Sequence, residues 1–202
     1  MGQRILGLTG GIATGKSTVA DYLARVHHLP VLDADLYARQ AVEPGTAALE
    51  SIVSRYGDAL LHGDGTLNRA RLGEIVFGDP AEKAWLEQQI HPVVRQHFAA
   101  AMAELGTAAI VVQVIPLLFE ANLTDQVSEI WVVTCPEDVQ RQRLMARNGL
   151  SLEQANARIQ SQMPLAAKVA QADVVLDNSA DLTALFRRVD QALQHIPQGR
   201  RG

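Results

Sequence analysis

Residues Gly10 to Thr18 read GGIATGKST, and Gly10 through Ser17 fit the spacing Gly-x-x-x-x-Gly-Lys-Ser/Thr. That spacing constrains the fold because a turn of this kind needs a strand to deliver it and a helix to leave it. Both flanks are present. Arg4-Ile5-Leu6-Gly7-Leu8-Thr9 is a short apolar run, and Val19, Ala20, Leu23 and Ala24 recur at helical spacing behind the turn. Gly10, Gly11 and Gly15 let the backbone turn its N–H groups onto an anion, toward which the following helix points its positive end. Lys16 adds a full charge for the β- and γ-phosphates of a nucleotide, and Ser17 offers a hydroxyl to a bridging Mg²⁺. Gly10, Gly11, Gly15 and Lys16 are accordingly the candidate phosphate-binding residues, with Ser17 the candidate metal ligand.

The rest of the chain extends this unit into a sheet. Further strands are predicted at Val31–Asp33, Ala108–Ile115, Glu129–Thr134 and Asp173–Asp177, several as near-continuous β-branched runs of the kind covered on both faces. No strand is expected between Leu36 and Leu105. Helical patterns run there over 36–42, 47–56, 69–77 and 80–105, broken by Glu43-Pro44-Gly45, His62-Gly63-Asp64-Gly65 and Gly78-Asp79-Pro80. Behind the fourth strand, Pro136-Glu137-Asp138 opens a helix that Asn148-Gly149 stops, Ser151-Leu152-Glu153-Gln154 is a capping box, and a final helix spans Leu182 to Leu193 before a frayed tail from Gln198. Strands alternating with helices give an α/β fold: a five-stranded parallel, doubly wound sheet forming one domain, with core 1–36 and 106–202 and a helical insertion at 37–105. Ligands bind such sheets at the strand carboxyl ends, where the glycine-rich turn, Asp33 and Pro116–Glu120 all fall.

Composition narrows the function. The 202 residues are 48% hydrophobic and 20% charged, which suggests neither disorder nor a membrane class. A net charge of −4 gives no basic field for a nucleic-acid backbone, so a small anionic substrate fits better. Cys135 is the single cysteine and suits a reducing compartment as a buried, inert thiol. No apolar stretch reaches the ~18 residues of a membrane span, and neither a cleavage site nor a myristoylation pattern is present, Leu6 standing where Ser or Thr is wanted. The expectation is a cytoplasmic enzyme with no obligate protein partner.

Three further sets of residues could carry chemistry. Asp33 and Asp35 are spaced i, i+2, so on an extended segment they share a face. One could take a proton from an attacking hydroxyl while the same or the other supports Mg²⁺, and the alternative for Asp35 is an N-cap of a helix beginning at Leu36. Asp33, nearer the strand end, is the better base, and since no acid closes the third strand it is a candidate for both tasks. Arg143 and Arg147, at i, i+4 on one helix with Arg141 beside them, can close on charge developing in phosphoryl transfer or serve as solvated cations in the helix's last turns. The six histidines form no metal set, and His91-Pro92 inside a helical pattern reads as a kink or as part of a site.

Taken in order, GLTGGIATGKSTVA, VLDADLYARQAVEPG, DGTLNRARLGEIVF, EKAWLEQQIHP, IPLLFE, QRQRLMARNGLS, RIQSQM and ADVVLDNS resemble the bacterial dephospho-coenzyme A kinases over nearly the whole chain. The resemblance implies a nucleotide-kinase-like sheet with a helical substrate domain and a lid at about 141–165. It implies transfer of the ATP γ-phosphate to the ribose 3′-hydroxyl of dephospho-CoA, the last step of coenzyme A synthesis. It also implies that Asp33 is the base, that Ala13 to Thr18 hold ATP, and that Arg143 and Arg147 belong to the lid. His91 and the Pro116-Leu117-Leu118 turn would shape the acceptor site, with Asp35 beside them. One departure is visible: Ala13 stands where a further glycine is usual, and it is expected to be tolerated with a negative φ. A kinase for a nucleoside or another small alcohol is the rival enzyme reading. A GTP-hydrolysing switch would want an Asn-Lys-x-Asp segment, and Asp177-Asn178-Ser179 is not one.

Overall fold

The computed structural model describes residues 3–195; Met1-Gly2 and the tail expected from Gln198 lie outside them. Five parallel strands form one sheet in the order β2-β3-β1-β4-β5: β1 (Arg4–Gly10), β2 (Val31–Asp33), β3 (Ile110–Val114), β4 (Glu129–Thr134) and β5 (Val174–Asp177). The helices are α1 (Lys16–Arg25), α2 (Ala34–Gln40), α3 (Ala47–Tyr56), α4 (Arg69–Phe77), α5 (Pro80–Glu104), α6 (Glu137–Asn148), α7 (Leu152–Gln160), α8 (Leu165–Val169) and α9 (Leu182–Gln194). The chain divides into two compact units, one holding the segments up to Asp33 and from Leu105 onward, the other Ala34–Glu104.

The first unit is built on the strands' apolar faces. Leu6 and Leu8 of β1, Val112 and Val114 of β3, and Trp131 and Val133 of β4 are buried together with Val19 and Leu23 of α1 and Leu185 and Val189 of α9. Leu8 is fully buried, so Leu8→Ala would cost about 2–5 kcal/mol in transfer energy and cavity. Register aligns the carboxyl ends: Asp33 pairs with Val114, Val114 with Leu8, Leu8 with Trp131, and Thr134 with Asp177. At the other end of β4 the Glu129 carboxylate, 1% exposed, binds Arg4 at 2.7 Å and accepts from Trp131 Nε1 at 2.7 Å. This buried charge is thus paired and hydrogen-bonded, as the interior requires.

The helix ends follow local chemistry. Gly149 closes α6 in the left-handed conformation at φ 62, and the Ser151–Gln154 capping box opens α7. Two expectations change. Helix α2 starts at Ala34, two residues before the expected Leu36, because Asp33 ends its strand and the chain turns directly into the helix. Behind Pro164 there is a short helix, α8, whose five residues are too few for a periodic pattern to announce it.

In the second unit, Val42, Leu49, Ile52, Leu60, Leu67 and Leu72 form a separate core. Helix α5 runs continuously through Pro92, so the missing N–H does not end it. At its start, Glu82 receives Arg55 at 2.7 Å and Tyr56 Oη, and these donors hold its carboxyl down to about 2.

Candidate active site

Gly10 ends β1 and Lys16 begins α1, so the five residues between form a tight loop at the carboxyl edge of the sheet. Gly15, at φ 109, sits in front of the helix in a conformation that side chains avoid. Inside the loop Thr14 N–H faces Gly11 O at 3.5 Å, and the Thr14 hydroxyl donates to the same carbonyl at 2.9 Å. Ala13, third residue of that turn, has φ 60. The expected negative φ is therefore wrong. The turn demands a left-handed residue at this position, and the Cβ costs about 1–2 kcal/mol there, which explains why glycine is the usual occupant.

Lys16 Nζ arches over the loop and donates to Gly11 O at 2.7 Å and Gly10 O at 3.3 Å. Ser17 is exposed in the first turn of α1, where backbone N–H groups lack intrahelical partners, and Thr18 follows it half-buried.

Three residues that sequence reasoning missed hold the loop from behind. Gln140, in the first turn of α6 and 3% exposed, donates Nε2 to Ile12 O at 2.6 Å. Gln162, between α7 and α8, accepts from Ile12 N–H at 2.9 Å. Asn178, just past β5, donates Nδ2 to Thr14 O at 2.8 Å and accepts from Arg143 Nη2 on its backbone carbonyl at 3.1 Å. These contacts give the glycines a second task. A Cβ on Gly11 would lie 2.6 Å from Gln140 Nε2, and one on Gly15 would overlap Asn178 Nδ2. The signal was the segments QRQRLMARNG, RIQSQM and LDNS, but nothing local says which amide reaches the loop.

The other expected residues fall as follows. Asp33 closes β2 at the same sheet edge, whereas Asp35 is the second residue of α2. The two do not share an extended segment, and Asp35 does not cap a helix at Leu36, because helix begins between them. Pro116 O, just beyond β3, accepts from Thr9 Oγ1 at 3.2 Å and from Lys168 Nζ at 3.2 Å. Leu117 is 40% exposed and Leu118 fully buried, so of these two side chains only Leu117 can meet a ligand. Arg147 is exposed near the end of α6 and donates to Asn148 Oδ1 at 2.9 Å. His91 lies in the second unit, on α5, beside Pro92 in a cleft of about 390 Å³ lined by that helix. Burial pushes the Cys135 thiol up, with Arg143 opposing, so it is no nucleophile at neutral pH.

A family model described as dephospho-CoA kinase matches residues 4–184. A dephospho-CoA kinase of Trichormus variabilis is 59% identical over 193 residues, covering 96% of this chain and 98% of that protein. Among solved structures, TT1252 from Thermus thermophilus superposes with a TM-score of 0.81 at 36% identity, over 96% of this chain and 97% of that one. The dephospho-CoA kinase from Campylobacter jejuni superposes with a TM-score of 0.69 at 30% identity, over 94% and 95%. The loop between β1 and α1, the acid closing β2 and the family match over nearly the full chain agree: this chain belongs to the dephospho-CoA kinase family.

Proposed function

We propose that the chain phosphorylates the ribose 3′-hydroxyl of dephospho-CoA with ATP, giving coenzyme A, and that Asp33 is the general base. The observation that carries the assignment of roles is the shared sheet edge: the loop before α1 ends β1, and Asp33 ends β2 in register with β3 beside it. The loop N–H groups and Lys16 hold the β- and γ-phosphates, and the transferring group leaves ADP for the acceptor oxygen as Asp33 takes its proton. Arg143 and Arg147, on a lid at about 141–165, offset the charge that spreads over the equatorial oxygens. Pro116 and Leu117, just beyond β3 at that same sheet edge, shape the acceptor site.

Among the described residues no group of three or more His, Cys, Asp or Glu is placed to hold a metal. Magnesium at a nucleotide site takes its ligands mainly from phosphates and water with one or two protein oxygens, and the exposed Ser17 hydroxyl fits that donor set. When bound, the ion neutralises phosphate charge.

The test is ADP release with dephospho-CoA against a panel of nucleosides, for the parent and Asp33→Asn. Asn keeps shape and a carbonyl acceptor but takes no proton, so kcat should fall by about 10²- to 10⁴-fold with ATP affinity changed far less. A kcat within threefold of the parent's would make Asp33 structural, lost ATP binding would assign it to the metal, and a preferred nucleoside would move the substrate.

A further inference from the structure

Both polar groups of a single loop residue, Ile12, are taken by side chains at the two ends of the proposed lid, Gln140 just before it and Gln162 near its close. Gln140 Nε2 donates to its carbonyl at 2.6 Å and Gln162 Oε1 accepts from its N–H at 2.9 Å. Between these two glutamines lie α7 and most of α6, with Arg141, Arg143 and Arg147. Arg143 follows Gln140 by three residues on one helix and so shares its face.

Gly11, Gln140, Gln162, Met163 and Pro164 line one cleft of about 670 Å³, and Gln140 is 3% exposed within it. The two glutamines meet the loop there through direct hydrogen bonds. The residue after Gln162 is fixed from its other side, since Met163 N–H donates to Glu120 Oε1 at 3.0 Å and Glu120 holds the buried Lys168 at 2.8 Å.

The residue type fits the task. Ile12 presents one acceptor and one donor, and primary amides complement both without net charge. A carboxylate there would oppose the phosphates the loop exists to bind, and an ammonium would compete with Lys16. Gly11 leaves the space that Gln140 crosses.

We propose that Gln140 and Gln162 are positioning residues that register the lid arginines on the phosphate loop. This rests on the lid reading of Arg143 given above. Tying the residue before the lid and one near its end to the same loop residue makes Ile12 the fixed point about which the segment closes.

The experiment uses the full chain with Gln140→Met and Gln162→Met, which keep length but lose the amide. Misplacing a charged group by an ångström costs up to about a hundredfold in rate, so each variant should lose at least tenfold in kcat. The ATP dissociation constant, measured by calorimetry without acceptor, should move less than threefold. A kcat within threefold of the parent's in a folded variant overturns the proposal, as does a parallel loss of kcat and ATP affinity, which would make the glutamines part of the nucleotide pocket.

Gln140→Glu and Gln162→Glu separate hydrogen bonding from charge and decide the matter if a methionine variant fails to fold. Both add one negative charge near the loop, but Glu at 162 still accepts from Ile12 N–H while Glu at 140 sets oxygen against oxygen. Gln140→Glu should therefore lose about tenfold more kcat than Gln162→Glu, and equal losses overturn the proposal. Arg143→Lys in the parent background tests the lid reading separately. If that variant is indifferent, or the parent does not turn over dephospho-CoA, the underlying reading fails and registration falls with it.

Discussion

Lys168 is fully buried, with Nζ 2.8 Å from Glu120 Oε1 and 3.2 Å from Pro116 O, whereas the Glu120 side chain is 23% exposed. The two partners should therefore respond unequally to removal. Glu120→Gln leaves a buried ammonium with only neutral acceptors, and breaking such a pair costs about 3–5 kcal/mol. Lys168→Met fills the same volume with apolar atoms, and the carboxylate left behind still accepts from Met163 N–H at 3.0 Å and reaches water. That loss should be about 1–2 kcal/mol, in the range of one charged hydrogen bond, and the double variant should lie within about 2 kcal/mol of the parent because neither charge remains. Urea unfolding at pH 7, read as midpoint and slope, measures all three. The pH dependence gives the sign independently. Burial raises the Glu120 carboxyl, but Lys168 and the backbone donors outweigh it, leaving it below the usual value. A depressed acid contributes its stability above the unfolded pKa, about 4.3, and loses it as pH falls through the folded value. The parent should therefore shed this contribution below about pH 4.3, and Glu120→Gln should not. If Lys168→Met costs as much as Glu120→Gln, or if the acid limb is unchanged, the burial asymmetry does not govern the pair.

Lys16→Ala should cut turnover by more than about tenfold, 1.4 kcal/mol or more, in a folded protein; near-normal turnover would reject the phosphate-loop assignment. Arg143→Lys keeps the charge but loses the planar fork, so kcat or the KM for ATP should suffer, and unchanged constants would return Arg143 to an ordinary surface role. Ala13→Gly removes about 1–2 kcal/mol of left-handed strain and gives back about 0.4–1 in unfolded-chain entropy. The net gain, roughly 0–1.6 kcal/mol, corresponds to a melting temperature higher by up to about 6 °C for a chain of this size, and a lower one by calorimetry would contradict the φ of 60 at Ala13.

The sequence by itself determined whatever depends on neighbours along the chain. The β1 turn α1 unit, the buried strands, the Gly149 stop and the Ser151 capping box each carry a pattern within a dozen residues, and each formed where the pattern put it. The parallel sheet follows too, since strands that alternate with helices have few other ways to bury both faces. Tertiary structure decided what depends on residues far apart. Gln140 and Gln162 reach Ile12 across 128 and 150 residues, and Lys168 reaches Pro116 across 52, contacts that no spacing rule encodes. The left-handed Ala13 was also outside local reading, because alanine alone prefers negative φ and only the turn beneath Lys16 forces it over. The placement of Asp35 failed for a related reason: an i, i+2 face exists only while the backbone stays extended, and the chain turns helical at Ala34.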